Sequence, residues 1–318
     1  MSIRIRVIAG LTVAALAALW WIVAMAVQQA AEPFTYAENN TYWLRDVRWL
    51  AGLAIAVALV WTFRGDRFMT GVAAAVFAAA IAMDIVVDRL NTAAAGAVVL
   101  LLLTAWFAGR GREIRPSRSM SAMASGFAIA GSATAAAMQS PTDLEWSLNP
   151  SAVLLCLVLA MCALGCGMDA AGGGTRYGHV VAAATLVVGS GVLIAARMES
   201  PKFTWPAVGL MAVLFVGATM ILLGETSPWS LRIGLGLLNC AVAMFALLFF
   251  TLVSISMQPG APFTTWAGNP GIGGDEDVSM ALVALASGVL LGGMFTLERI
   301  LADGRHEAKR RNQILAAE

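Results

Sequence analysis

The feature of this sequence that most constrains its fold is a series of long apolar stretches separated by short polar segments. About 20 apolar residues are enough for a helix to cross the hydrocarbon core of a bilayer. Helices are expected, because an unclosed strand would leave backbone groups without hydrogen-bond partners in lipid. Ten stretches qualify, at residues 7–27, 47–63, 69–87, 92–109, 121–138, 150–168, 179–196, 206–224, 231–255 and 279–297.

Composition supports a membrane location. The chain of 318 residues is 59% hydrophobic and only 12% charged, whereas an average soluble protein carries about 25% charged residues. A soluble fold of this length would need a charged surface that this chain cannot supply. The net charge of +1 gives no indication of a nucleic-acid partner. We therefore predict an all-α polytopic membrane protein with about ten transmembrane helices and the lipid bilayer as its main partner.

The basic residues predict the orientation of these helices. If the N-terminus is cytoplasmic, fifteen of the twenty Lys and Arg residues fall in cytoplasmic segments, and the other five are Arg45, Arg48, Arg89, Arg197 and Lys202. Cytoplasmic connections of membrane proteins carry such an excess of positive charge. Both termini are thus predicted to be cytoplasmic. Because Arg far outnumbers Lys and Ala and Gly abound, we interpret the chain as bacterial, in the inner (cytoplasmic) membrane.

Four of the five predicted outer loops resemble one another, since they start near a Gln or Glu and continue through Pro to an aromatic residue, whereas the loop near Asp88 lacks this pattern. This pattern predicts a single transmembrane domain, 1–298, of five helical hairpins followed by a charged cytoplasmic tail, 299–318. The hairpins would span 1–64, 65–115, 116–172, 173–228 and 229–298. A simpler explanation stays open, because Pro ends helices and aromatic residues settle at the membrane interface.

Two polar residues inside the apolar stretches are candidates for a transport or polar site. Asp84 lies in the third stretch and could bind a proton or cation, or it could pair with Arg89 near the membrane surface. Asn239 lies in the ninth stretch and could contact a ligand, or it could bond to a neighbouring helix. The helix-packing interpretation is favoured for Asn239, and the pairing interpretation for Asp84.

Aromatic residues of the outer loops form a candidate outer aromatic collar: Trp146, Phe203, Trp205, Phe263 and Trp266. If the hairpins surround one axis, these rings converge. They would then either anchor the protein at the headgroup level or form a binding surface for an extracytoplasmic protein partner.

No pattern in the chain indicates catalysis or a cofactor. Cys162 and Cys166 are one helical turn apart, but histidine support for a metal site is lacking, and close helix packing is favoured. The four-residue spacing of Gly288 and Gly292 likewise indicates close helix contact. No metal and no cofactor are expected, and an intramembrane enzyme remains open as a third choice behind functions without catalysis.

The sequence favours a permease-like protein that moves a small uncharged or amphipathic solute. The alternative is a non-catalytic membrane scaffold or anchor subunit that binds partners through its outer loops. A polar cleft reaching the middle of the membrane would favour the permease, and a closely packed interior would favour the scaffold.

Overall fold

The computed structural model describes residues 3–23, 37–87, 113–137, 145–173, 175–198, 205–224, 227–259, 262 and 279–315. All regular secondary structure in these ranges is helical. We number the long helices in chain order as α1 (Ile3–Val23), α2 (Ala37–Thr62), α3 (Arg67–Val87), α4 (Arg118–Ala137), α5 (Glu145–Ala170), α6 (Arg176–Met198), α7 (Trp205–Leu223), α8 (Trp229–Met257) and α9 (Met280–Leu315).

Each of these helices contains most of one apolar stretch, and the remaining stretch, 92–109, lies outside the described residues. Five helical segments are long and apolar enough to cross a membrane by length and composition: Arg118–Ala137, Val153–Ala170, Arg176–Leu193, Trp229–Met257 and Met280–Leu301. The all-helical prediction is therefore confirmed, and the helices are compatible with a multi-pass membrane protein. The number of ten spans stays a prediction.

The outer surface of the helix bundle is apolar. Helix α8 exposes Leu238, Phe245, Leu248 and Leu252, each with at least half of its surface accessible. These residues lie on one side of the helix, and the opposite side is buried in the bundle. Soluble monomers rarely expose a continuous apolar patch of this kind. Contact with lipid explains it.

Helix α4 lies at the centre of the described bundle. It packs mainly against α5 and α9 and also contacts α2, α7 and α8. Small residues allow this, and the closest approach joins Gly126 of α4 to Gly292 of α9: a Cβ on Gly126 would lie 2.3 Å from the Gly292 backbone nitrogen. A Cβ on Gly288 would lie 2.4 Å from the Phe127 ring. The interpretation of Gly288 and Gly292 as a close-packing face is thus confirmed.

Among the described helices, those that follow each other in the chain pack together in seven cases: α1 with α2, α2 with α3, α4 with α5, α5 with α6, α6 with α7, α7 with α8, and α8 with α9. Contacts between distant parts of the chain are just as important, since α9 packs extensively on α4 and α2 packs on α5. The described bundle is therefore interlocked rather than a ring of separate pairs. The arrangement as five repeated hairpins stays a prediction.

Helix α2 differs from the sequence-based expectation. It begins at Ala37 rather than near residue 47, so Arg45, Asp46 and Arg48 lie within the helix and are buried. That Arg45 and Arg48 lie on the outer side of the membrane stays a prediction. Within the bundle, the Arg45 guanidinium lies 5.6 Å from the centre of the Trp49 ring, which is a cation–π contact.

Candidate functional site

Asn239 is the centre of a buried polar cluster built by three helices. Its side chain, on α8, is only 1% exposed. Its Nδ2 donates hydrogen bonds to Oγ1 of Thr219 on α7, at 3.0 Å, and to Oε1 of Glu298 on α9, at 2.9 Å. The bonding of Asn239 to neighbouring helices is therefore confirmed. We call these three residues the Asn239 cluster.

The cluster lies inside the apolar part of the bundle, towards one end. Asn239 follows the first residue of α8 by ten positions, which is about 15 Å of helix. Thr219 is four residues, about 6 Å, from the end of α7 at Leu223. Glu298 is three residues, about 4.5 Å, from Leu301, where the apolar part of α9 ends. The predicted orientation makes this end the cytoplasmic one.

Residues one helical turn away from each member fix the geometry of the cluster. Gly236 precedes Asn239 by three positions, and a Cβ there would lie 2.7 Å from the Val216 Cα, so α8 and α7 are in close contact. Phe215 and Phe295 precede Thr219 and Glu298, and their ring centres are 6.0 Å apart. This ring contact joins α7 to α9. The Asn239 side chain thus fills a polar gap between helices held by apolar neighbours.

Glu298 has one oxygen that is bonded and one that is not. Oε1 accepts the Asn239 hydrogen bond, whereas Oε2 is buried and has no hydrogen-bond partner among the described residues. A buried polar atom without a partner costs about 1–3 kcal/mol, and more when it is charged. A charged residue within a membrane segment is by default a functional candidate. Glu298 therefore holds an acceptor available for a ligand or a proton.

The nearest basic residues in the described structure are engaged with other partners. Arg299 binds Asp303 through Nη2, and its Nη1 lies 3.5 Å from the carbonyl oxygen of Leu222. Asp303 also accepts a hydrogen bond from Arg118 of α4 at 3.3 Å. Arg299 was expected to begin the polar tail, but it is buried in the bundle. These contacts attach α9 to neighbouring helices beside Glu298. They do not supply a counter-charge to Glu298.

A second buried acid, Asp46, has a different environment at the opposite end of α9. Its Oδ1 accepts a hydrogen bond from the Ser279 hydroxyl and its Oδ2 one from the Met280 backbone N–H, both at 2.7 Å. Ser279 N–H in turn donates to the Ser254 hydroxyl of α8 at 3.3 Å. A carboxylate at a helix N-terminus is stabilised by the exposed N–H groups and the helix dipole. Asp46 is thus a helix cap that joins α2 and α8 to α9.

The other candidate residues cannot be placed in this site. Asp84 belongs to helix α3, but its side chain lies outside the described residues. The same applies to Trp146 and Trp205, near the starts of α5 and α7. The remaining collar residues, Phe263, Trp266 and Phe203, are themselves outside the described ranges. The aromatic collar and the role of Asp84 stay predictions.

Sequence reasoning missed Thr219 and Glu298. A single Thr in an apolar helix carries no distinctive signal, because Thr often bonds to its own helix. Glu298 was placed at the last position of the predicted transmembrane domain, 1–298, one residue beyond the tenth apolar stretch, and was not considered as a buried polar group. Its spacing from Phe295 could have indicated otherwise, because a residue three positions after a buried one lies on the same face of a helix.

The cysteines do not extend this site. Cys156, Cys162, Cys166 and Cys240 are all free and buried. Within the described ranges, no three His, Cys, Asp or Glu side chains are grouped so that they could hold a metal ion.

Comparisons with known proteins do not identify this chain. No protein-family model matches it, and no match was found among curated proteins or among solved structures.

Proposed function

We propose that this chain is a permease of the bacterial cytoplasmic membrane and that the Asn239 cluster binds the polar part of a small solute. The solute is uncharged or amphipathic. In this proposal about ten helices form five hairpins, and both termini are cytoplasmic. The observation that carries the proposal is the buried Oε2 of Glu298, which has no partner among the described residues.

The chemistry of the cluster suits a solute with a hydrogen-bond donor. Asn239 uses both N–H bonds of its amide on Thr219 and Glu298, so Glu298 Oε2 is an acceptor that the cluster itself does not satisfy. An O–H or N–H group of a solute would satisfy it. Because the cluster lies among apolar residues of three helices, such a solute would leave water almost completely, as it must to cross a membrane.

Entry of small solutes into liposomes tests this proposal. The purified full chain is reconstituted, and swelling is followed by light scattering with glycerol, erythritol, urea and propionamide. At least one of these solutes is expected to enter faster than it enters liposomes without protein. Equal rates for every solute would overturn the permease.

Two threonine substitutions connect solute movement to the cluster. Thr219→Val removes the hydroxyl that binds Asn239 and is expected to slow entry about two- to tenfold, since a hydrogen bond contributes about 0.5–1.5 kcal/mol. Thr251→Val is the matched control, because the Thr251 hydroxyl bonds only to Leu247 of its own helix, α8. An equal effect of both substitutions would remove the cluster from the solute path.

A membrane scaffold is the second candidate function. The close contact of α4 and α9 at Gly126 and Gly292 favours it, because backbone contact leaves no room for a cleft between these helices. A photo-reactive residue at Trp205, in the predicted collar, should then crosslink to an extracytoplasmic protein. The same residue at Phe245, on the lipid-exposed face of α8, is the control. Crosslinking to lipid alone at both positions would contradict the scaffold.

A further inference from the structure

We propose that Glu298 is a proton-exchange site, and that it couples solute movement through the Asn239 cluster to the proton gradient. The coupling rests on the permease function proposed above. The proton binds to Oε2 and leaves from it, so one O–H bond forms and the same bond breaks, with water as the donor and the acceptor.

The two oxygens of Glu298 are suited to this exchange. Asn239 Nδ2 donates to Oε1, and an oxygen of either a carboxylate or a neutral carboxyl group can accept that bond. The contact with Asn239 therefore survives in both states, and the proton is directed to Oε2. Asp46 provides the contrast, since both of its oxygens accept hydrogen bonds from the start of α9. Neither oxygen of Asp46 is therefore without a donor, whereas Oε2 of Glu298 has none among the described residues.

No described cation neutralises Glu298. On its own helix, Arg299 binds Asp303 and the Leu222 carbonyl. From α4, Arg118 also binds Asp303. Helix α7 has no ionisable side chain in its sequence. The ionisable groups of α2 that are buried near α9, Arg45, Asp46 and Arg48, belong to the opposite end of the bundle.

Helix α8 likewise offers no counter-charge. Arg232 donates to the Ser227 carbonyl and the Tyr177 hydroxyl, and Cys240, beside Asn239, is a buried thiol. An ionised Glu298 is therefore a buried charge without a described counter-charge. Transfer of such a charge into an apolar environment is so costly that the group tends to become neutral. Binding of a proton to Oε2 makes Glu298 neutral. An O–H or N–H group of the solute that donates a hydrogen bond to Oε2 favours the ionised form of Glu298.

Glu298 is also close enough to water to exchange protons. The residue is partly exposed although its Oε2 is buried, and it is one helical turn from the end of the apolar part of α9. A deeper carboxyl group would need a chain of polar residues to reach solvent. The Asn239 cluster thus has a proton-accessible member, Glu298, and a more deeply placed member, Asn239.

Chemical labelling of the reconstituted wild-type protein tests the site without any substitution. Dicyclohexylcarbodiimide is apolar and reacts with protonated carboxyl groups in membranes, and peptide mass mapping locates the adduct. We expect modification at Glu298 that decreases as the pH rises, because only the protonated group reacts. Glu113, which is exposed, should stay unmodified. An unmodified Glu298 at acid pH would overturn the proton site.

The coupling is tested by the pH dependence of solute movement. Liposomes that contain the wild-type protein and the pH-sensitive dye pyranine should change internal pH when the fastest solute of the swelling experiment is added. The solute rate should vary with pH. The Glu298→Gln variant should show no change of internal pH, and its rate of solute movement, fast or slow, should not depend on pH. The Glu113→Gln variant should retain both the change of internal pH and the pH dependence of the rate.

The outcomes separate the two proposals. If a solute moves without a pH change in the wild-type protein, the coupling is overturned and the permease stands. If Glu298 is labelled but no solute moves, the permease and its coupling are overturned and the proton-binding site alone stands.

Discussion

The contact between Gly126 of α4 and Gly292 of α9 yields the most direct test of the described packing. Gly126→Ala adds a single methyl group, whose carbon would lie 2.3 Å from the backbone nitrogen of Gly292 and 2.5 Å from its Cα. Carbon atoms in good contact are about 3.5–4.0 Å apart. The helices must therefore separate by about 1 Å, and no side chain can rotate away, because the atoms involved belong to the backbone.

The expected loss of stability follows from this overlap. Overpacking of a dense core costs about 1–3 kcal/mol, and we expect about 3 kcal/mol here because α4 is confined on its other side. There, a Cβ on Gly131 would already lie 3.0 Å from Leu53 and 3.1 Å from Leu159. Replacement of Gly by Ala in a helix also gains about 1 kcal/mol of helix propensity. Gly234→Ala is the matched control, since its Cβ would meet nothing within 4 Å.

The buried cysteines provide the assay. All four thiols are free and buried, so a fluorogenic maleimide should react with them only as the protein unfolds on heating in detergent. Both variants gain the same helix propensity, so their difference isolates the steric cost. About 3 kcal/mol corresponds to a Tm about 6–12 °C lower for Gly126→Ala than for Gly234→Ala. If the two variants unfold at the same temperature, α4 and α9 do not make this contact.

Two further predictions concern the ends of the helices. Asp46→Ala removes both hydrogen bonds from α2 to the start of α9, and it should lower the stability in the same assay by about 1–3 kcal/mol. Glu113→Ala, at an exposed acid that lies 3.9 Å from Arg115, should leave the Tm unchanged, and equal shifts would contradict the cap. For the predicted orientation, an impermeant thiol reagent outside the cell should label cysteine substitutions at Ser140, Ser200 and Thr265 but not at Ser117 and Ser227; the reverse pattern would refute it.

The positions of helices in the sequence could be predicted where they depend on contiguous apolar residues. The helices α8 and α6 follow the predicted stretches 231–255 and 179–196 closely, because membrane insertion depends on the apolar character of each segment as a whole. The close packing at Gly288 and Gly292 was also predictable. Gly at a four-residue spacing allows helix approach whichever helix is the partner.

The extent of α2 could not be predicted in this way. Arg45, Asp46 and Arg48 make the segment before residue 49 strongly polar, so a hydropathy criterion excludes it from the span. In the bundle, Asp46 meets Ser279, which is 233 residues away in sequence. Such a contact is determined by the rotation of two distant helices, and neither local sequence contains that information.

Because local sequence does not specify contacts between distant helices, only part of the Asn239 cluster could be predicted. Asn239 was identifiable because an amide in an apolar stretch needs a hydrogen-bond partner. Its partners are 20 and 59 residues away on two other helices, and many Ser and Thr residues could have served equally well. Only the packing of α7, α8 and α9 selects Thr219 and Glu298.

The attachment of the three helices around the Asn239 cluster indicates which one opens the site. Helix α9 is held at its start by Asp46, in the middle of its apolar part by the Gly126 contact, and near the end of that part by the contacts of Arg299 with the Leu222 carbonyl and of Asp303 with Arg118. Helix α8 is attached less firmly, since only 22% of its apolar segment is buried, against 44% for that of α9. In the proposed permease, the Asn239 bonds to Thr219 and Glu298 are the described polar contacts that connect α8 to α7 and α9 at the site. Because α9 is fixed at three points, we expect displacement of α8 to open the cluster at the smallest cost in packing.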